Sequence, residues 1–539
     1  MNLTGMLREC AATRPDQIAY IYQDEQVTFA EFDRRVDEVA AALRASGVGP
    51  GDRVAVLDKN SLACVELLFG AARAGGVQVP VNYRLAPAEI AYIVDNANAK
   101  VLVAGAEFTP VLDAIADGLQ HTEHVIVVGE SERYEEYSSW SGSDRASGVG
   151  GEGRAARGAS EERTRPEDTA SAHEAERRDD TGEVFVQLYS SGTTGRPKGV
   201  MLTHDNFAAL LPVVDQLWNL GPESVDMVAM PLYHIAGCAL AVGVVYAGIP
   251  AVIIREPDPV AIARAIEAHR VTHVFLVPAL LLFMQQIPQV READMSSLRL
   301  LLYGASPISD EVLRGAMALL PGTGFMQVYG LTETTGSITY LPPEDHVPDG
   351  ARLRSAGVAG PGVELRILDP ATGDALPTGQ VGEIVCRSTQ NMRGYWSLDQ
   401  ATRDTLLPGG WLRTGDAGYL DEDGYLFIHD RVKDMIISGG ENIYPAEVEN
   451  VLMSHPAVAD CAVIGVPHEK WGETPKAIVV SGGEVTEREL IDHCREKLAH
   501  FKCPTSVEWV DTIPRNPTGK VLKRQLREPY WAGESRAVH

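Results

Sequence analysis

Cysteine is sparse in this 539-residue sequence: seven residues, at 10, 64, 238, 386, 461, 494 and 503, with no CxxC pair. An odd, scattered set in a long chain excludes a disulfide framework, so these thiols are expected to be reduced and mostly structural. Positive charge is also in deficit. Lys and Arg number 47 against 74 Asp and Glu, a net charge of -27, which excludes a duplex-binding surface driven by phosphate neutralisation. Nucleic acid is therefore not an expected partner, although a small polyanion can still be held by a local cluster of Lys, Arg and backbone N–H groups. The opening residues MNLTGMLREC lack an apolar segment after a basic start, so no secretory signal is expected and a cytoplasmic location is. Internal repeats are absent. One long uncharged run, 235–254 (IAGCALAVGVVYAGIPAVII), reaches the ~20 residues a membrane span needs. Gly248 and Pro250 break it into a buried helix and a short AVII strand.

What the chain does have is enough apolar residue, 45%, to bury a large core, and enough length to need two or more domains. Helix and strand signals alternate through most of it. DRVAVL predicts a strand, Asn60 is positioned to cap the helix SLACVELLFGAARA, and Gly75 with Gly76 ends that helix. A proline-entered helix over 87–96 precedes the strand KVLVAG. VFVQLY, DMVAM, AVII, HVFLV and LRLLL then read as short strands buried on both faces of a parallel sheet. The class is α/β.

Residues 130–182 break this texture, being rich in Glu, Arg, Ser, Gly and Ala, and are expected to form a mobile insert because they bury too little apolar surface to offset ordering entropy. After Gly357 the pattern becomes strand and turn, with Asp423-Gly424 marking a hairpin. A boundary is expected near Arg431. Beyond it, AEVENVLMSH, CAVIGV, KAIVV, TERELIDHCREKLA and SVEWV predict a compact α+β unit.

The stretch YSSGTTGRPKGV follows the predicted strand VFVQLY, where α/β folds carry ligand loops. Glycines 192, 195 and 199 let the backbone approach an anion, and Ser190, Ser191, Thr193, Thr194 and Lys198 supply donors. The stretch departs from the Walker pattern, since Arg196 and Pro197 follow Gly195 and Lys198 precedes a glycine. Taken alone it reads equally as a phosphate cradle and as a flexible surface loop.

Its companions resolve that choice. YSSGTTGRPKG, PLYHIAG, YGASP, MQVYGLTET, GEIVCRS with GYW, WLRTGD, DRVKDMIISGGENIYPAEVE and PRNPTGKVLK occur in this order, and together the sequence resembles the adenylate-forming superfamily, specifically its acyl-CoA synthetases. The resemblance spans nearly the whole chain apart from the insert. It implies a large N-terminal domain, 1–430, with parallel α/β sheets and a small β-barrel-like part. A small mobile α+β domain, 431–539, would follow. It also implies two steps: a carboxylate attacks the α-phosphorus of ATP to give acyl-AMP and pyrophosphate, and coenzyme A then displaces AMP.

The same resemblance assigns roles. Lys520 matches the catalytic lysine that bridges carboxylate and α-phosphate, and Glu333 matches the carboxylate that coordinates Mg2+, with Ser190 beside it. Ser190, Ser191, Gly192, Thr193, Thr194, Gly195 and Lys198 become the phosphate-side clamp, Thr194 being also a catalytic candidate. Gly304, Ala305, Ser306, Gln327, Tyr329, Gly330 and Thr332 fall around the nucleotide, with Tyr329 offering its ring to adenine. Asp416 would accept both ribose hydroxyls, backed by Arg431. Lys433 stands at the hinge, and Gly439 and Gly440 open the loop expected to line the pantetheine tunnel. Trp471 is read either as a coenzyme A contact or as core. His234 is read either as a gate to the acyl pocket or as a core histidine. Gly237 and the small residues after it are expected to leave room for a long or bulky acyl chain.

The implied activity is ligation of a medium- or long-chain fatty acid to coenzyme A. Open alternatives are an aromatic or alicyclic acid, a carrier protein as acceptor, and an inactive nucleotide-binding relative. The expected partners are thus a small carboxylic acid, ATP with Mg2+, and coenzyme A. Peripheral membrane contact and homodimer formation are left open.

Overall fold

The structure is a computed structural model that describes residues 2–142, 183–190, 196–348, 350–431, 434–438, 441–468, 470–515 and 521–531. The chain divides into two compact units, Met1–Phe275 with Thr332–Gly336 and Thr389–Arg403, and Leu276–Leu331 with Ser337–Ser388 and Asp404–His539.

The first unit holds an eight-stranded sheet. Edge to edge it runs Gly394–Tyr395, Lys198–Thr203, Val184–Ser190, Val77–Pro80, Arg53–Leu57, Ala99–Gly105, His124–Val128, Glu135–Glu136. The middle pairs are parallel, as the continuous apolar runs predict, and Val184–Ser190 turns back antiparallel into Lys198–Thr203. One face is covered by Pro87–Asn96 and Thr109–Ile115, whose Ile90, Ile93, Val94 and Leu112 join Leu57, Val79, Leu102 and Val127 in a buried cluster. A second group of strands in this unit pairs Ile18–Tyr22 with Ala251–Ile253, and Ala251–Ile253 with Asp226–Val228, all parallel.

The run 235–254 folds as the sequence predicts, into helix Ile235–Ala247 and strand Ala251–Ile253, with Gly248 closing the helix at φ +61°. Among the described residues no helix is long and apolar enough to cross a membrane. All seven cysteines are buried and unpaired by disulfides, in line with their structural reading.

Two local expectations are corrected. Helix Leu62–Arg73 is capped by Ser61, whose side chain accepts from the Cys64 N–H, and not by Asn60. Asn60 is buried and bridges loops instead. Its Nδ2 donates to the carbonyls of Met230 (2.9 Å) and Ile254 (3.0 Å), while its Oδ1 accepts from the Leu232 N–H (2.8 Å). Residues 130–142 of the expected insert also carry regular structure. Glu135–Glu136 is a short strand and Tyr137–Ser141 a helix, anchored by Tyr137 donating to Glu66 (2.8 Å) and by Trp140 Nε1 donating to Ser46 (3.0 Å). The bulk composition of 130–182 concealed these two aromatic anchors; residues 143–182 lie outside the described residues.

In the second unit, Leu300–Gly304 and Gly324–Tyr329 pair parallel, followed by antiparallel Thr339–Leu341. A five-stranded antiparallel sheet forms the barrel-like part, with Glu364–Leu368, Gly382–Arg387, Trp411–Leu420 and Leu406–Leu407 in order and Leu426–Arg431 beside Trp411–Leu420. The C-terminal α+β portion places Glu441–Ile443, Ile436–Ser438, Gly472–Ser481 and Val458–His468 in one sheet, with Ser506–Trp509 parallel to Gly472–Ser481. Helices Pro445–Met453 and Glu487–Arg495 cover it through Val448, Leu452, Leu490 and Cys494. Thr486 closes a capping box with Glu489 at the second helix, a signature legible in TERE.

Candidate functional site

The strands that flank the glycine-rich stretch, Val184–Ser190 and Lys198–Thr203, pair antiparallel. Ser190 faces Lys198 in register across strands Val184–Ser190 and Lys198–Thr203, so the connecting loop leaves and re-enters the sheet at one edge. A Walker loop would run on into a helix, and this one runs on into a strand. Ser191, Gly192, Thr193, Thr194 and Gly195 lie outside the described residues; the two ends of the loop do not.

At that edge Ser190 Oγ donates to Glu333 Oε1 at 3.2 Å, and the Tyr395 hydroxyl donates to the same oxygen at 2.9 Å. Lys198 Nζ lies 4.8 Å from the centre of the Tyr395 ring. Glu333 sits in the single turn Thr332–Thr334, which is pinned from two sides. Its own carbonyl accepts from the Met392 N–H (2.8 Å), and Thr335 Oγ1 donates to the Gln390 carbonyl (2.6 Å). Asn206 in turn holds residues 389–391 by donating to the carbonyls of Thr389 (2.7 Å) and Asn391 (2.8 Å). The Ser190 hydroxyl and Glu333 carboxylate are half-buried hard oxygen donors, a set that suits Mg2+ when phosphate oxygens complete the shell. Among the described residues no group of three or more His, Cys, Asp or Glu is gathered to hold a metal alone. An ion here would depend on the nucleotide.

The second unit carries the residues assigned to the nucleoside except Thr332, which belongs to the first. Gly304 ends its strand where a Cβ would stand 2.1 Å from the Val328 carbonyl oxygen, so only glycine permits this pairing. Ala305 then takes φ +66°, a left-handed conformation that turns the chain away from the sheet. Gln327 accepts from Tyr303 at 3.5 Å. Tyr329 donates its hydroxyl to Asp416 Oδ2 at 2.8 Å. Burial, and secondarily the Asp416 charge, hold that phenol well above its ordinary pKa, so it remains a donor. Asp416 is itself buried and faces Arg431 in register on the neighbouring strand. Gly330 follows the strand that ends at Tyr329, and Thr332 opens the turn that carries Glu333.

His234 caps helix Ile235–Ala247, its Nδ1 accepting from the Ala236 N–H at 3.4 Å. Packing strips enough water from it to push its pKa down to about 4, so it is neutral at physiological pH. Gly237 differs from the expectation that it opens space for an acyl chain. A Cβ there would meet the carbonyl oxygens of Met230 and Pro231 at 2.5 Å, so its smallness serves close packing of the helix against the preceding loop. Trp471 is 46% exposed, which excludes the core alternative, and Lys470 Nζ lies 4.3 Å from its ring centre. Lys433, Gly439, Gly440 and Lys520 lie outside the described residues. Tyr395 had no assigned role in the sequence; its only signal was its place in the GYW block.

Residues 7–396 match the family AMP-binding enzyme, and residues 447–520 match the AMP-binding enzyme C-terminal domain. The chain is 38% identical to the fatty acid–[acyl-carrier-protein] ligase ScoC of Streptomyces coeruleorubidus, over 98% of this chain and 96% of ScoC. It is 35% identical to the long-chain-fatty-acid–CoA ligase FadD13 of Mycobacterium tuberculosis (98% and 99% covered) and 36% identical to a feruloyl-CoA synthase of an Amycolatopsis species (96% and 97% covered). The ATP-bound crystal structure of MatB from Rhodopseudomonas palustris superposes with a TM-score of 0.83 at 31% identity, covering 98% of this chain and 99% of MatB. The chain therefore belongs to the adenylate-forming AMP-binding enzymes, and within them to the AMP-forming acid–thiol ligases, which use ATP to activate an acid as its adenylate.

Proposed function

We propose that this enzyme activates a medium- or long-chain fatty acid and passes the acyl group to coenzyme A in the cytoplasm. In the first step a carboxylate oxygen of the acid attacks the α-phosphorus of ATP, the α–β phosphoanhydride bond breaks, and pyrophosphate leaves. Two anions must meet, so the site has to neutralise charge. His234, neutral at this pH, adds no cation. Lys520 bridges the carboxylate and α-phosphate, and the loop 190–198 clamps the outgoing pyrophosphate through Ser190, Lys198 and its glycine backbone. Ser190 and Glu333 would hold Mg2+, which supplies further neutralisation of the phosphate oxygens when bound. Tyr329 and the turn Gly304, Ala305, Ser306 flank adenine, and Asp416 accepts the ribose hydroxyls. In the second step the coenzyme A sulfur attacks the acyl carbon and AMP departs, after residues 431–539 turn about Lys433 and bring Gly439 and Gly440 to the thiol's path.

The observation that carries this reading is the Ser190–Glu333 hydrogen bond at the base of the glycine-rich stretch, which joins the phosphate loop to a carboxylate. Fatty acid is preferred because ScoC and FadD13 are both named for it. A carrier protein as acceptor is the second reading, since ScoC loads one. The test is AMP release scored over saturated fatty acids of graded length, ferulate and a dicarboxylate, each with coenzyme A or with a phosphopantetheinylated carrier protein. Release that depends on chain length and on coenzyme A is expected. Preference for ferulate, or release with the carrier protein alone, overturns the substrate or the acceptor respectively.

A further inference from the structure

We propose that Tyr395 is a positioning residue for the Glu333 carboxylate, linking it to the strand that leaves the phosphate loop; this rests on the metal-assisted adenylation proposed above. Tyr395 and Ser190 both donate to Glu333 Oε1, at 2.9 and 3.2 Å. Two donors on one oxygen fix the rotation of the carboxylate and leave Oε2, engaged by no described residue, to face an incoming ion. Ser190 alone is a rotatable hydroxyl and could not do this. The tyrosine is rigidly held. Its backbone pairs antiparallel with Val200, its N–H donates to Thr402 Oγ1 at 2.9 Å, and the next residue, Trp396, donates its N–H to the Gly199 carbonyl at 2.7 Å. Trp396 Nε1 also donates to the Asn96 carbonyl (2.8 Å), with the Arg53 guanidinium 3.6 Å above its ring.

Lys198 joins this arrangement through its ammonium, 4.8 Å from the Tyr395 ring centre. A cation over a phenol ring draws charge from the oxygen and makes its hydrogen a better donor to a carboxylate. Lys198, Tyr395 and Glu333 thus form a chain from the exit of the phosphate loop to the carboxylate. The coupling runs through two side-chain contacts on a strand only two residues long, Gly394–Tyr395.

Tyr395→Phe removes the hydroxyl and keeps the ring, the cation above it and the strand. The first readout is Mn2+ binding, followed by the electron paramagnetic resonance of free Mn2+ in the presence of α,β-methylene-ATP, whose α–β bridge cannot break to transfer the adenylyl group. A loss of about tenfold in Mn2+ affinity is expected, the scale of removing a partner that orients a metal ligand. The second readout is the Mg2+ dependence of pyrophosphate release, expected to shift to higher Mg2+ with activity recovered at saturation, while thioester formation from supplied acyl-AMP is unchanged. Unaltered Mn2+ affinity and Mg2+ dependence overturn the inference, as does equal loss of both half-reactions. Glu333→Gln separates it from the reading beneath it. If Glu333→Gln leaves Mn2+ binding intact, the metal assignment fails; if it abolishes binding while Tyr395→Phe leaves the affinity unaltered, the positioning role alone fails.

Discussion

The Asp416 carboxylate shows how one residue's environment narrows its role. Its Oδ2 accepts the Tyr329 phenol at 2.8 Å, and Asp416 Nα–H donates to Thr414 Oγ1 at 3.1 Å, whose hydroxyl donates to the Ile384 carbonyl at 2.7 Å. The carboxylate is held in place before any ribose arrives, and the ring that it orients is the one assigned to adenine. Asp416→Asn keeps the shape and loses the charge. The expected result is an ATP KM raised about tenfold or more, matching the ~1.5 kcal/mol of a hydrogen bond to a charged group, with the KM for the acid little changed. A rise confined to the acid would place Asp416 elsewhere in the reaction. This pairing could not be read from the sequence, because Tyr329 and Asp416 are 87 positions apart and nothing local in either motif states which atom meets which.

At the scale of elements, the pair Asn60 and Ser61 separates a helix cap from a brace between loops. Both are cap-type residues at the start of one helix, and position alone favoured the first. Ser61 caps, and its replacement by Ala is expected to cost about 1 kcal/mol. Asn60 satisfies two buried carbonyls and one buried N–H, each costing about 1 kcal/mol or more when orphaned. Asn60→Ala should therefore lower the thermal midpoint further than Ser61→Ala, measured side by side; the reverse order would return the cap to Asn60. Helices and central strands were legible because their periodicity and terminators are local: Pro87, Gly248 and the TERE box each act within one turn. Strand Gly394–Tyr395 was not. Two residues carry no periodicity, and its existence depends wholly on pairing with Lys198–Thr203.

Across the whole molecule, the excess of acidic groups leaves some carboxylates in apolar surroundings, and Asp226 is the clearest case. It lies on a central strand, 1% exposed, and burial pushes its pKa from 3.8 up to about 7, offset only in part by the Met227 N–H that donates to Oδ1 at 2.7 Å. A carboxyl whose folded pKa is raised keeps a proton that the unfolded chain has lost. Stability therefore falls as pH climbs from 3.8 toward about 7 and the penalty is fully present above that. Asp226→Asn removes the titration and keeps the acceptor. Its thermal midpoint should exceed that of the wild type at pH 8 and the advantage should shrink by pH 5. An advantage that is constant with pH, or larger at pH 5, would contradict a neutral buried Asp226.

Local chemistry along the chain was sufficient for the α/β class, for the helix and strand split of the run 235–254, and for the family, because glycines, prolines, caps and motif blocks act over a few residues. Folding alone decided that the strands flanking the glycine-rich stretch pair antiparallel, that Gly237 serves packing against backbone carbonyls, that Trp471 is exposed, and that Tyr395 stands between Lys198 and Glu333. Each of these depends on residues tens to hundreds of positions apart meeting at a sheet edge or a packed face, and such meetings are set by the burial of the whole core.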